Sequence, residues 1–209
     1  TTLIALTEIA SSTPAAEFAH LSDRQAGGAE QGGSIRKAGP LGNGENGDDV
    51  VPRFERWKLK FIARDRNHYA QQLDHFGIEL GAIGGTIQGV DYVGHFSLRP
   101  EARRGASEGE KRLYFMWTQG GSLREYDLSL LRTAGVELEN RVSLMFIPAD
   151  LETELANLEW DFAQMNGGIS LKEIGSTVFE SRQTETGFRF VVVEQRRRAN
   201  RNASWNPPR

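Results

Sequence analysis

An α+β architecture, with helices laid on one face of a mostly antiparallel sheet, is what the apolar pattern of this 209-residue chain calls for. Three observations carry that expectation. Short segments alternate apolar and polar residues with the period of a half-buried strand. Several of them follow one another around glycine-rich turns, as antiparallel hairpins do. Helical spacing recurs in only about three places, too few to cover both faces of a doubly wound parallel sheet. The expected domain therefore has about five to seven strands and about three helices, plus an extended N-terminal arm and a basic C-terminal tail.

Residues 1–25 open the chain with a short apolar helical segment, LIALTEIASSTPAAEFAHLS, broken at Thr13-Pro14. Residues 26–52 form a glycine-rich linker: eight of the chain's 23 glycines lie between Gly27 and Gly47, with almost no large apolar side chain among them. Such a stretch buries too little surface to offset the entropy of ordering it. The α+β domain is expected over 53–196 and the tail over 197–209. In FERWKLKFIAR, Trp57, Leu59 and Phe61 alternate with Arg56, Lys58 and Lys60, predicting a strand with one wet face. Asp65 sits at an N-cap, Tyr69, Leu73 and Phe76 follow at helical spacing, and Gly77 fits the residue just past a helix end. IELGAIGG and TIQGVDYVGHFSL read as two strands around a Gly-Gly turn, RPEARRGASEGEK (99–111) as a charged loop, and RLYFMWT as an apolar strand.

In SLREYDLSLLRTAG, Ser122 and Glu125 have capping-box spacing and Gly135 closes the helix. RVSLMFI alternates as a strand. In DLETELANLEWDFAQMNG, Asp150 stands as the cap of a helix whose Leu151, Leu155, Leu158, Phe162 and Met165 form a stripe. SLKEIG adds a helical turn, and STVFESR, TETG and FRFVVVEQR make a closing hairpin. Phe-Ile-x-x-Asp occurs twice, at 61–65 and 146–150, but the matching period does not persist past the following helix.

Composition narrows the chemistry. Hydrophobic residues at 38% with 25% charged residues suit a globular domain that buries a core. The absence of cysteine excludes disulfides, thiolate nucleophiles, zinc–thiolate sites and iron–sulfur clusters. No apolar run approaches the ~20 residues that cross a bilayer. The chain opens on Thr1, as expected where an upstream initiator, signal or anchor has been removed. Net charge is −3, and because residues 196–209 hold five arginines and no acid, the preceding residues carry −8. A mildly acidic body thus ends in a basic tail.

Motifs that could carry chemistry mostly resolve into folding grammar. His68, Asp74 and His75 cluster in RDRNHYAQQLDHFGIEL, yet neither histidine has a metal-ligating partner one turn away within the same helix. The two are about two turns apart, roughly 10 Å of rise, too far to share an ion. GAIGGTIQG (81–89) lacks phosphate-loop spacing and reads as a tight turn between strands. Glu152, Glu154, Glu159 and Asp161 alternate around the side of their helix opposite the leucines and are expected on a solvated face. YFMW (114–117) is dense enough to be buried on both faces. The tail RRRANRNASWNPPR alone invites recognition, through phosphates, anionic surfaces or a partner pocket for its tryptophan.

ERWKLKF, YAQQLDHFGIELGAIGG, EKRLYFMW and TVFESR together resemble a family of uncharacterised bacterial envelope proteins over roughly residues 36–198. In that family a soluble α+β region follows a glycine-rich spacer and, upstream, a single apparent membrane-spanning helix. The resemblance implies an N-terminally tethered protein on the periplasmic side of the cell envelope, with membrane contact only through an anchor absent from this chain. It supplies no activity and no catalytic residue. The expected function is a non-catalytic interaction or scaffold domain within a larger assembly, without metal or cofactor. Protein partners or self-association would be served by Arg196, Arg197, Arg198, Arg201 and Trp205 in the tail and by Leu3, Ile4, Leu6 and Ile9 in the arm. Two alternatives stand beside it. One is an enzyme or small-ligand site assembled from dispersed residues such as His68, Asp91, His95, Glu110 and Arg112. The other is nucleic-acid or anionic-surface binding through the arginine tail, less favoured because the body is acidic.

Overall fold

The computed structural model describes residues 50–198; the apolar segment, most of the glycine-rich linker and residues 199–209 lie outside them. The elements are α1 (Arg53–Arg56), β1 (Trp57–Lys60), α2 (Arg66–His75), β2 (Glu79–Gly84), β3 (Ile87–Gly94), β4 (Glu101–Gly105), β5 (Tyr114–Phe115), α3 (Ser122–Thr133), β6 (Arg141–Phe146), α4 (Ala149–Met165), a 3-10 turn (Leu171–Glu173), β7 (Ile174–Thr184) and β8 (Gly187–Arg197). The α+β class is the observed one. The strands, however, divide into two sheets rather than one: β1-β7-β8, and β4-β3-β2-β6-β5. The larger sheet is antiparallel throughout. In the smaller one β1 runs parallel to β7, while β8 is antiparallel to it.

Local chemistry explains several boundaries. Asp65 caps α2, its Oδ1 accepting the His68 N–H at 2.8 Å, and Gly77 ends the helix at φ +64°. Gly84 and Gly85, both at positive φ, turn β2 into β3. Ser170 and Glu173 cap the 3-10 turn reciprocally. Other helix starts differ from expectation. Gly121 precedes α3 with no side-chain cap, so the Ser122–Glu125 box is not made; Pro148 precedes α4, leaving Asp150 in the first turn. EARRG, expected as loop, is the edge strand β4, and the apolar strand at 112–118 shortens to Tyr114–Phe115.

One core joins the two sheets and the helices. Trp57, Leu59, Phe179 and Phe190 from the small sheet meet Leu80, Val93, Phe115 and Met145 from the large one, together with Tyr69, Leu73, Leu131 and Leu155. The other face of the large sheet buries Ile83, Val90, Tyr92, Tyr114, Leu144 and Phe146. Tyr114 and Phe115 thus lie on opposite faces of one strand, both fully buried, as the YFMW pattern predicts.

The main departure is on α4. Its buried positions are Leu151, Leu155, Glu159 and Ala163, whereas Met165 is 77% exposed. Glu159, expected in solvent, is fully buried and faces Arg56, expected on the wet side of the first strand. Arg56 Nε donates to Oε1 at 3.0 Å and Nη2 to Oε2 at 2.7 Å, while the Thr177 hydroxyl donates to Oε1 at 2.7 Å. Gln195 Nε2 donates to the Glu159 carbonyl at 3.2 Å. Neutralising one partner of such a pair strands the other charge, at a cost of about 3–5 kcal/mol. Glu159→Gln is therefore expected to lose about that much in chemical denaturation, and Arg56→Met with Glu159→Leu less than either single change. An additive double variant would show that the two side chains act independently.

Candidate functional site

Strand register sorts the side chains of the small sheet. Lys58 pairs with Val178, which pairs with Glu194; Lys60 pairs with Glu180, which pairs with Val191; Arg182 pairs with Arg189 and Ser176 with Arg196. Directly paired residues share a face, and the intervening residues Trp57, Leu59, Phe179 and Phe190 fill the core. Among the described residues the outer face therefore carries the cations Lys58, Lys60, Arg182, Arg189 and Arg196 and the acids Glu180 and Glu194. A register shift at Val178/Phe179 leaves Val193 without an opposite partner and keeps this charged row continuous. Arg182 and Arg196 side chains are 55% and 71% exposed, against 19% for Glu180 and 42% for Glu194. The cations thus stand proud of the acids between them. Glu180 is held by Lys60 and Arg182, both at 3.3 Å, and Glu194 by Arg196.

The predicted recognition residues fall in two groups. Arg196 and Arg197 are the last residues of β8, and Arg198 follows with its N–H donating to the Glu173 carbonyl at 2.6 Å. The ladder therefore claims what the sequence assigns to the start of the tail. Leu3, Ile4, Leu6, Ile9, Arg201 and Trp205 lie outside the described residues.

The dispersed set does not converge. His68 lines a groove of about 330 Å³ where β1 ends. Asp91 lines another, of about 520 Å³, between β4 and the turn after α3. It accepts from Arg104 Nε at 2.7 Å and from Arg141 Nη1 at 2.6 Å. Burial would raise its carboxyl, but those hydrogen bonds outweigh it and hold it below the ordinary carboxylate range. Glu110 and Arg112 pair with each other at 2.7 Å, and Arg112 also reaches Glu79 at 2.6 Å. Arg112 and Arg103 lie over the Tyr92 ring at 5.3 and 4.3 Å, closing the second core. Burial, then the neighbouring Glu110 charge, pushes the Tyr92 hydroxyl up to about 12. His95 is exposed in a turn at φ +57°. Among the described residues no group of three or more histidine or acidic side chains is placed to hold a metal ion. Among the same residues no helix is long and apolar enough to cross a membrane.

Asp127 is a titratable group that sequence reasoning missed. It is 1% exposed on α3, and the Trp117 indole N–H donates to its Oδ2 at 2.5 Å. Among the described residues neither its Oδ1 nor the buried Tyr69 hydroxyl meets a well-aligned hydrogen-bond partner, though the two groups lie close enough to influence each other's titration. Its signal is positional: Leu123, Asp127, Leu130 and Leu131 form the buried stripe of α3, so an acid occupies a core position. Burial pushes its carboxyl up to about 7, only partly countered by Trp117 and then by the neighbouring Tyr69 hydroxyl.

Comparison with protein-family models, with curated proteins and with solved structures returned no match.

The Asp127 carboxyl fixes a pH dependence. Its folded value, about 7, lies above the ordinary 3.8 of an unfolded chain. Stability is fully present below pH ~4, declines as pH rises to ~7 and is level above that, a loss on the order of 4 kcal/mol. Asp127→Asn is expected to remove this decline when unfolding free energies are compared across pH 4–8. A slope unchanged by the substitution would assign it to other groups.

Proposed function

We propose that this chain is a non-catalytic interaction domain of a cell-envelope-associated assembly, recognising an acidic partner through the outer face of its small sheet. One observation carries the reading: Arg182, Arg189 and Arg196 line an open sheet face and are better exposed than the two glutamates among them. Among the described residues Arg189 is exposed and makes no ion pair, which leaves its guanidinium donors to a partner. The chain's overall −3 charge makes the face stand out against an acidic body, which steers acidic partners to it. The resemblance to tethered envelope proteins is consistent with a domain held at a fixed site to meet a partner.

Charge reversal tests this. A fluorescein-labelled decaglutamate peptide is expected to bind the full chain at low salt, with affinity that falls as ionic strength rises. Arg189→Glu with Arg196→Glu should weaken binding tenfold or more, measured by anisotropy. Binding unaffected by the double reversal would overturn the reading. So would a single-stranded oligonucleotide that binds more tightly than the peptide with a steep salt slope, which would point to the arginine tail and nucleic acid.

A further inference from the structure

The groove at the end of β1 has features that internal packing does not use. Main-chain pairing of β1 with β7 ends at Lys60–Glu180, whereas β7 runs on to Thr184. Side chains extend the seam by one step only. The Ile62 N–H donates to Ser181 Oγ at 3.0 Å, the Ser181 hydroxyl to Gln72 Oε1 at 2.5 Å, and Gln72 Nε2 to the Ile62 carbonyl at 2.9 Å. Beyond Ser181, residues Arg182–Thr184 have no strand on that side among the described residues. The opposite wall is the β1–α2 connection, with Ile62 49% exposed.

Three groups give this slot a chemical preference. Arg64 lines it, is exposed and makes no ion pair among the described residues. Arg182 lines it from β7. His68, 8% exposed, also lines it; its Nδ1 accepts the Arg64 N–H at 3.2 Å, which puts the neutral ring's proton on Nε2. Among the described residues that buried Nε2–H has no acceptor, an arrangement that costs stability unless something completes it. The one acid in the slot, Glu180, already draws on Lys60 and Arg182. The surplus cationic charge therefore suits singly charged carboxylates better than a dianionic phosphate. A volume of about 330 Å³ accepts a few extended residues, not a folded surface.

We propose that this groove is the anchor for an extended acidic peptide of a partner protein, added as a short strand along Arg182–Thr184, with Arg64 and Arg182 taking its carboxylates and the His68 Nε2–H one of its oxygens. This deepens the interaction reading and rests on it. Main-chain pairing supplies affinity in such strand addition, and the flanking side chains supply selection. The outer face delivers an acidic segment, and the groove fixes its register.

The probe is acetyl-Val-Glu-Val-Glu-Val, prepared with a free or an amidated C-terminus, titrated into ¹⁵N-labelled full-length protein. Amide shifts are expected at Arg182–Thr184, with a change in the His68 imidazole signals. Arg64→Gln, which leaves the outer face intact, should weaken binding fivefold or more. His68→Asn keeps an acceptor for the Arg64 N–H but loses the distal donor, and should weaken binding at least threefold. His68→Gln restores a donor near Nε2 and should recover most of it. Unchanged amide spectra elsewhere establish that each variant is folded. Binding of both peptides assigns the carboxylates to side chains; binding of the free form alone assigns recognition to a chain end, and either result supports the groove. Shifts confined to Arg189–Arg196 and insensitive to Arg64→Gln would overturn the groove while leaving the face reading intact. No binding of either peptide or of decaglutamate removes both.

Discussion

The buried contact between Arg56 and Glu159 is the constraint on which the rest of the domain depends. It links the end of α1 to the middle of α4, beside the β1–β7 pairing, across about a hundred residues of intervening chain. Both charges are fully desolvated, so their attraction does little more than repay what burial costs them. The value of the contact is therefore register rather than raw stability. Thr177 contributes its hydroxyl to Glu159 from β7, and Gln195 reaches across from β8. A one-residue slip of β7 would carry Thr177 to the outer face and bring Val178 against a carboxylate. Parallel pairing between distant strands is entropically late to form, and a polar network that accepts one alignment guards it against alternatives.

That closure divides the labour between the sheets. The five-stranded sheet joins the β2–β3–β4 meander to β6 and β5 through the β2–β6 ladder and buries both faces, the second under arginines that stack on Tyr92 and Phe146 while paired to Glu79 and Glu110. Its polar side chains are largely spent on one another. The three-stranded sheet buries one face only. Its other face carries the charged row, and among the described residues no strand pairs with the stretch of β7 left over when β1 stops. The proposed recognition rests on an inequality of strand length: β1 has 4 residues and β7 has 11.

Buried acids show why pattern alone misjudged parts of this chain. Glu159 and Asp127 each occupy a position in the apolar stripe of their helix, four residues from a buried leucine. Reading residue type first put Glu159 in solvent, and reading spacing first would have put it in the core. Glu159 is buried because Arg56 and Thr177 supply its hydrogen bonds from elsewhere in the chain. Asp127 is buried with one such partner, Trp117, and its carboxyl is displaced accordingly. EARRG was illegible for the opposite reason. An edge strand exposed on both faces has no apolar alternation to read, and its strand character comes from the ladder that β3 offers.

The sequence by itself determined what short-range chemistry can determine: the α+β class, the Asp65 cap and Gly77 stop of α2, the glycine turn between β2 and β3, the closing hairpin, and an arginine-rich end to an acidic chain. Each depends on residues within a turn or two of one another, where propensity and hydrogen bonding are local. Only the tertiary structure decided that the strands form two sheets, that Arg56 meets Glu159, and that His68, Arg64 and Arg182 line one groove while Asp91 and Glu110 lie elsewhere. Those outcomes turn on which distant segments can bury apolar area together while leaving no charge unpaired, a condition on the whole chain that no single stretch contains.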